Sequence, residues 1–290
     1  MIDAHHHLWD IAARDHRWLE GDQPWATDDE LARLRRSFTL ADLAPLAAAS
    51  GVTGTVVIQA VTEPWETSDL LALAAGTDPA TPSGLLLGVV GWTDLADSAV
   101  ADALAALRAL PGGSFLSGIR HPLLAETDPD WLARPAVRAG LQAMADADLS
   151  FDLVLLAHQL PAAAAAARSV PDLSFVVDHL GGPSVGSEPD PADGEWAAAI
   201  RSLAALPNVT CKLSGVHTEP ARAAELVPYY DVVLEAFGPG RLMFGSDWPV
   251  SSLGADYAEV VEVYRELTAA LSTAERDAIF ERTARRVYRL

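Results

Sequence analysis

Short runs of β-branched and other apolar residues alternate along this chain with longer Ala- and Leu-rich stretches whose apolar positions recur at helical spacing. Eight runs read as strands: 1–5, 53–60, 84–92, 115–121, 151–158, 173–179, 209–214 and 241–247. Between them, stretches near 66–77, 94–110, 134–147, 160–169, 191–206, 219–237 and 256–270 read as amphipathic helices, with one more from about 272 onward. Ser272 is placed to cap that last helix, since a side-chain oxygen just ahead of a helix accepts from its free amides. Eight strands, each followed by a helix, fit a closed (β/α)8 TIM barrel, an α/β fold; an open doubly wound sheet more often has about five to seven strands.

One segment departs from the alternation. Residues 10–40 hold His16, Trp18, Trp25 and a run of charges ahead of a helix near 40–50. A first βα connection of this length exceeds what a connector needs, and βα loops lie on the active-site face of a barrel. The segment is therefore expected to form a lid or wall over a substrate. The 290 residues, half of them apolar, come close to the ~250 typical of this architecture and support a single barrel domain over 1–290.

Composition narrows the chemistry. No apolar run reaches the roughly eighteen residues of a membrane span, and the chain opens on MIDAHHH without a basic-then-apolar leader; a cytoplasmic protein with no membrane partner is expected. Cys211 is the only cysteine, which excludes an internal disulfide and any Cys-x-x-Cys site, so a metal would be held by His and carboxylate. A net charge of −20 repels phosphate backbones, which argues for a small-molecule substrate and against nucleic acid. An anionic substrate or transition state would then need local positive charge, and Lys212 is the only lysine. Oligomeric state leaves no mark on the pattern.

Five of the eight runs end in residue types that do chemistry: His5 and His7, Arg120 and His121, His158, His179, and Asp247. The carboxyl ends of barrel strands converge on one site, so such residues meet although they are far apart in sequence. In an extended segment His5 and His7 project to one side and can reach one ion, while His6 points away. A tag remnant or surface patch is the competing reading of HHH; its setting in DAHHHLWD, fused to a strand, favours a site. His179 closes an apolar strand in VVDHLGGP, or else is a core histidine satisfied by its neighbours. Asp247 in LMFGSDWP reads as a ligand or as the base for an attacking water, with a helix N-cap as the alternative. Arg120 in GIR and Lys212 in CKLSG could polarise a carbonyl or hold a carboxylate, or form surface salt bridges. Trp18, Arg120, His121, His158 and Trp248 are candidates for binding substrate, and the rings of Trp65 and Trp92 could also stack on a sugar face or simply pack. His158 could alternatively be a ligand; His16 and His217 are further candidates.

Together IDAHHHLWD, HRWL, VVIQA with Glu66-Thr67 after it, VVGWTDL, GIRH, FDLVL, QLP, FVVDHLGGP, CKLSG, RLMFGSDWPV and a closing VYRL resemble the amidohydrolase superfamily over almost the whole chain. The resemblance is to the amidohydrolase-related branch that contains sugar-acid lactonases of the L-fuconolactonase and L-rhamnonolactonase kind and pyrone-dicarboxylate lactonase. It implies metal ligands at His5, His7, His179 and Asp247, with Asp247 as the general base. The branch's arginine after the fourth strand matches Arg120, on a lactone carbonyl or a substrate carboxylate. No lysine ends the fourth strand, where binuclear relatives carry a carbamylated bridging residue. A single divalent metal is implied, zinc before others, with metal-independent catalysis as the alternative.

The reaction this implies is hydrolytic opening of a sugar-acid lactone. Asp247 deprotonates water, the oxyanion is stabilised by His5, His7, Arg120, Lys212 or an ion, and Asp247 or His179 returns a proton to the leaving alkoxide. The alternatives are hydrolysis of a pyrone- or muconolactone-type carboxylated lactone, or non-oxidative decarboxylation on the same barrel, which carbon dioxide release would reveal. A non-catalytic binding barrel would keep its role without His5, His7 and Asp247.

Overall fold

A computed structural model of the chain describes residues 1–23, 25–76, 84–186, 191–216 and 223–290. Eight strands, β1 (Ile2–His6), β2 (Gly54–Ile58), β3 (Leu86–Gly91), β4 (Leu116–Pro122), β5 (Ser150–Val154), β6 (Ser174–Val177), β7 (Val209–Leu213) and β8 (Leu242–Phe244), pair in chain order. Every pairing is parallel. The sheet closes where β1 meets the segment after β8: His7 N donates to Trp248 O (2.7 Å) and Asp247 N to His5 O (2.8 Å). With helices between the strands, this is the (β/α)8 barrel read from the sequence. Among the described residues no helix is long and apolar enough to cross a membrane.

β5, β6 and β8 stop short of the apolar runs that predict them, for local reasons. After β6 and β8 the backbone turns left-handed at His179 (φ 54°), Leu180 (φ 55°) and Asp247 (φ 58°), which ends an extended segment. After β5 the Leu156 amide donates to Gln159 Oε1 (2.9 Å), and Ala157–Gln159 becomes a 3-10 turn. Helices shift by the same logic. Asp94 and Asp97 accept from the amides of Ala96 and Ala99 (both 2.9 Å), so the helix expected from 94 covers Val100–Ala109. Ser272 caps Thr273–Asp277 in a reciprocal box with Glu275. The last residue of the helix read near 66–77, the first residues of that read near 219–237, and His217 lie outside the described residues.

The terminal helix Thr283–Tyr288 lies across the amino-terminal end of the barrel. Thr283 Oγ1 and Arg286 Nη2 donate to Gly240 O just ahead of β8 (3.2 and 2.9 Å), and Arg289 Nη2 donates to Asp148 Oδ1 just ahead of β5 (2.9 Å). Ala284, Val287 and Tyr288 of this helix pack with Ile2, Ala4, Val56, Ile58, Val90, Val176 and Met243 in the barrel interior. Each large apolar side chain buried here contributes ~1.5–3 kcal/mol.

At the opposite end, residues 10–40 form turns and short helices, including Asp28–Leu31 capped by Thr27. Their two ends are tied by Trp9 N to Phe38 O (3.0 Å) and Phe38 N to Trp9 O (2.8 Å). Trp9 meets Trp18 and Phe38 edge-to-face, and Phe38 meets Trp248 in the same way, at 5.3, 5.2 and 5.4 Å between centroids.

Candidate active site

The site is built on the seam that closes the barrel. Register shifts between Asp3 and His6 in the pairing of β1 with β2, as at a bulge, and a bulge re-aims side chains. Ala4 packs with the inner apolar cluster, His5 and His7 face one another with Nε2 atoms 3.2 Å apart, and His6 turns to Thr55 Oγ1 (3.0 Å). Asp3 anchors this irregular stretch, accepting from the amides of His5 (3.1 Å) and Ser246 (2.8 Å) and from the Tyr257 hydroxyl (3.0 Å). Gly245 lets β8 come close, since a Cβ there would sit 2.6 Å from His5 Cβ.

Across the seam, Asp247 Oδ1 lies 3.6 Å from His5 Nε2, 3.6 Å from His7 Nε2 and 3.9 Å from His179 Nε2. His179 is aimed by Ser214 Oγ on its Nδ1 (2.9 Å). It has room for its ring only because residue 215 is glycine: a Cβ there would overlap Nδ1 and Cγ, and the backbone stands at φ +69°. His7 Nδ1 is held by Ile58 O (2.9 Å), which leaves Nε2 for the centre.

Burial decides the charge states. It lowers the pKa of His5 well below the ordinary value, that of His7 to about 3, and that of His179 as well, so all three imidazoles are neutral at pH 7. Burial raises the Asp247 pKa against the neighbouring His179 and Arg120. One atom each from His5, His179 and Asp247 lie within 4.8 Å of one another. Neutral imidazoles beside a carboxylate, at separations near the ~3.4 Å edge of a tetrahedron around zinc, suit a divalent ion. The outer bonds from Ser214 and Ile58 are the kind that orient metal-binding histidines.

Beneath this cluster lies a buried ionic layer. Lys212, fully buried on β7, places Nζ 2.6 Å from Asp152 Oδ2, 2.9 Å from Asp178 Oδ1 and 3.2 Å from His5 Nδ1. Burial works to raise the Asp178 pKa, but Lys212 and His5 beside it hold it well below the usual carboxylate range. His5 Nδ1 stands 3.3 Å from that carboxylate, while its Nε2 faces Arg120 Nη1 (3.4 Å), a donor. Arg120 Nη1 also reaches Asp178 Oδ2 (3.4 Å) and Nη2 donates to Gln59 O, whereas Nε has no partner among the described residues.

A cavity of about 1340 Å³ opens over the seam. Its described lining includes His7, Arg120, His179 and Asp247 at the reacting end, and Asp15, Arg17, Trp18, Gln23 and Trp25 from the long first loop. Most other candidates named from the sequence lie elsewhere. Lys212 is below the cavity surface, walled in by two carboxylates, so direct contact with a carbonyl or substrate carboxylate is replaced by support of His5 and Asp178. His121 is turned to Glu126 Oε1 (2.9 Å) and stacked on Trp131 at 4.0 Å. His158 is exposed in the turn after β5, because that strand ends four residues earlier. Trp248 packs on Phe38 and contributes its carbonyl to the seam. Trp65 lines the cavity, while Trp92 donates to His121 Nδ1 (3.4 Å), and His16 is buried with Nδ1 on Arg14 O (3.1 Å).

Sequence reading assigned no role to Asp152, Asp178, Ser214, Gln59 and Glu66. Glu66 is buried and accepts from the amides of Ala60 (2.9 Å) and Val61 (3.0 Å), which holds the cavity edge after β2. The available signal was a charge set inside an apolar strand: Asp152 in FDLVL and Asp178 in FVVDH sit where a carboxylate must find a partner.

An amidohydrolase family model matches residues 2–290. The chain is 38% identical over 261 residues to an L-fucono-1,5-lactonase of Burkholderia ambifaria, covering 89% of this chain and 83% of that one. It is 37% identical over 301 residues to an L-fucono-1,5-lactonase of Burkholderia multivorans, covering 100% and 96%. A crystal structure of an amidohydrolase from Burkholderia multivorans with bound zinc superposes with a TM-score of 0.87 at 35% identity, covering 100% of this chain and 99% of that one.

Proposed function

The chain belongs to the amidohydrolase family, and on that premise we propose that it hydrolyses the ester bond of a sugar-acid lactone, with L-fucono-1,5-lactone the first substrate to test. The observation that carries the reading is Asp247, a buried carboxylate among three neutral imidazoles at the end of a cavity with Arg120 beside it. Asp247 accepts a proton from the attacking water. Arg120 Nε, without a partner among the described residues, donates to the lactone carbonyl oxygen as charge develops on it. His179 lines the cavity with Ser214 behind it, and Asp247 returns the proton to the departing ring oxygen. Trp18 Nε1, on a cavity-lining residue, is likewise buried without a partner among the described residues and is assigned to a substrate hydroxyl.

His5, His179 and Asp247, with His7 beside them, would hold a divalent ion, proposed as zinc. When bound, such an ion polarises a carbonyl and lowers the pKa of water. The proposed setting is the cytoplasm, which suits the buried free thiol of Cys211.

A pH-indicator screen of the purified protein against aldonolactones, with and without chelator and added zinc, tests the reading. Acid release from L-fucono-1,5-lactone is the expected result, and its loss with chelator would assign the ion a part. Silence across the panel from folded, zinc-supplied protein would overturn the proposal.

A further inference from the structure

The motif VVIQA, with Glu66-Thr67 after it, takes no part in this scheme, yet it lies directly behind Arg120. Glu66 is buried on the first turn of the helix Pro64–Ala74, and its carboxyl accepts from Ala60 N at both oxygens (2.9 and 3.0 Å) and from Val61 N at Oε2 (3.0 Å). The Ala60 N–H and the Gln59 C=O belong to one planar peptide group, so holding the N–H sets the direction of the carbonyl. That carbonyl accepts from Arg120 Nη2. The Gln59 side chain adds two longer contacts, Oε1 at 3.5 Å from Nη2 and Nε2 donating to Arg120 O (3.4 Å). Thr67 pins the turn that carries Glu66: its hydroxyl accepts from Trp92 N (2.8 Å) and donates to Trp92 O (3.1 Å), and a Cβ at Gly91 would overlap it. A buried carboxyl is costly unless paired, and here its pairing ends, across one peptide, on the guanidinium of the site.

We propose that Glu66 is a positioning residue for Arg120, acting through the peptide group between Gln59 and Ala60. By holding that peptide it keeps the Gln59 carbonyl on Nη2, and a guanidinium is planar, so fixing Nη2 also aims Nε toward the cavity. Without the carboxyl, the peptide is free to tilt and its carbonyl leaves Nη2. The guanidinium then keeps only its longer contacts, to Asp178 Oδ2 (3.4 Å) and Gln59 Oε1 (3.5 Å), and turns. Nε no longer points at the oxygen on which charge develops, a loss felt in the transition state more than in the bound substrate. The effect on turnover rests on the function proposed above; the effect on the guanidinium does not.

Glu66→Ala removes the acceptor, while Glu66→Gln keeps one oxygen for the Ala60 and Val61 amides. Both are measured for kcat and KM on the lactone, alone and in an Arg120→Lys background, where no guanidinium remains to be aimed. Glu66→Ala is expected to lower kcat about 10-fold or more with KM within about twofold, Glu66→Gln to stay within about threefold of wild type, and Glu66→Ala to cost less than about twofold on top of Arg120→Lys. The second readout is the Arg120 Nε–H signal in ¹⁵N-arginine-labelled protein, identified by its absence from Arg120→Lys. It is expected to move in Glu66→Ala and to stay in place in Glu66→Gln. Should Glu66→Ala not fold, Glu66→Asp, whose carboxylate is drawn back by one methylene group, takes its place in the same comparison. Wild-type kcat with an unmoved Arg120 signal would overturn the proposal, as would a loss of equal size in the Arg120→Lys background, which marks a purely structural role. If the wild type opens no lactone, the function fails on its own and the Arg120 signal still decides the positioning role.

Discussion

Replacing Asp247 with Asn removes its capacity to accept a proton and leaves nearly everything else at that position. The backbone there stands at φ 58°, a left-handed conformation that Asn adopts as readily as Asp, whereas Ala would add roughly 1–2 kcal/mol of strain. The Asp247 amide still donates to His5 O (2.8 Å) and its carbonyl still accepts from Ser251 (2.9 Å), so the seam stays closed. The three imidazole nitrogens at 3.6, 3.6 and 3.9 Å then face a neutral amide. A positioned general base contributes ~10²–10⁴-fold. At ~1.36 kcal/mol per tenfold, kcat should fall by the equivalent of about 3–5 kcal/mol of barrier, with KM little changed. Because burial raises the Asp247 pKa, losing the charge relieves a desolvation cost, and Tm should not drop. Initial rates by pH indicator, read beside a thermal melt, make the test. Turnover within about fivefold of wild type in a natively folded variant would refute the assignment of the base.

The same raised pKa places the acid limb of the kcat/KM profile above the ordinary aspartate value of about 3.9, and that limb should vanish in Asp247→Asn; a limb that survives belongs to another group. Gly215→Ala puts a methyl group onto the His179 ring at a left-handed backbone, so kcat should collapse; wild-type rates would show that the ring is not held there during turnover. Lys212→Met leaves Asp152 and Asp178 buried without their shared cation and should cost ~3–5 kcal/mol in urea unfolding, with a loss under about 1 kcal/mol contradicting the ionic layer. Burial lifts the Glu66 carboxyl from 4.5 to about 7 against its amide donors, so the folded state holds that proton more tightly than the unfolded state. Between those values the Glu66 contribution to stability falls as pH rises. Glu66→Gln should abolish this slope, and a wild-type-minus-variant difference that is flat with pH would count against it.

The sequence by itself determined the order of strands and helices, because a buried parallel strand must be apolar along its length and a helix packed on it must be apolar at its own spacing. It also marked His5, His7, His179 and Asp247, since a polar residue that interrupts or ends such a run has little structural reason to be there. It carried no information on direction beyond the end of a strand. His121 and His158 also follow apolar runs, yet one is stacked on Trp131 and the other is exposed. What separates them from His179 is the turn after each strand and the glycine that makes room for a ring. Nor could pattern pair Lys212 with Asp152, Asp178 and, through Asp152, Tyr288, which come from β5, the residue after β6 and the last helix. Alternation along a chain records what each residue's own neighbours bury. Which strands face one another, and which helix end reaches between them, is set only when the sheet closes and the terminal helix covers its end.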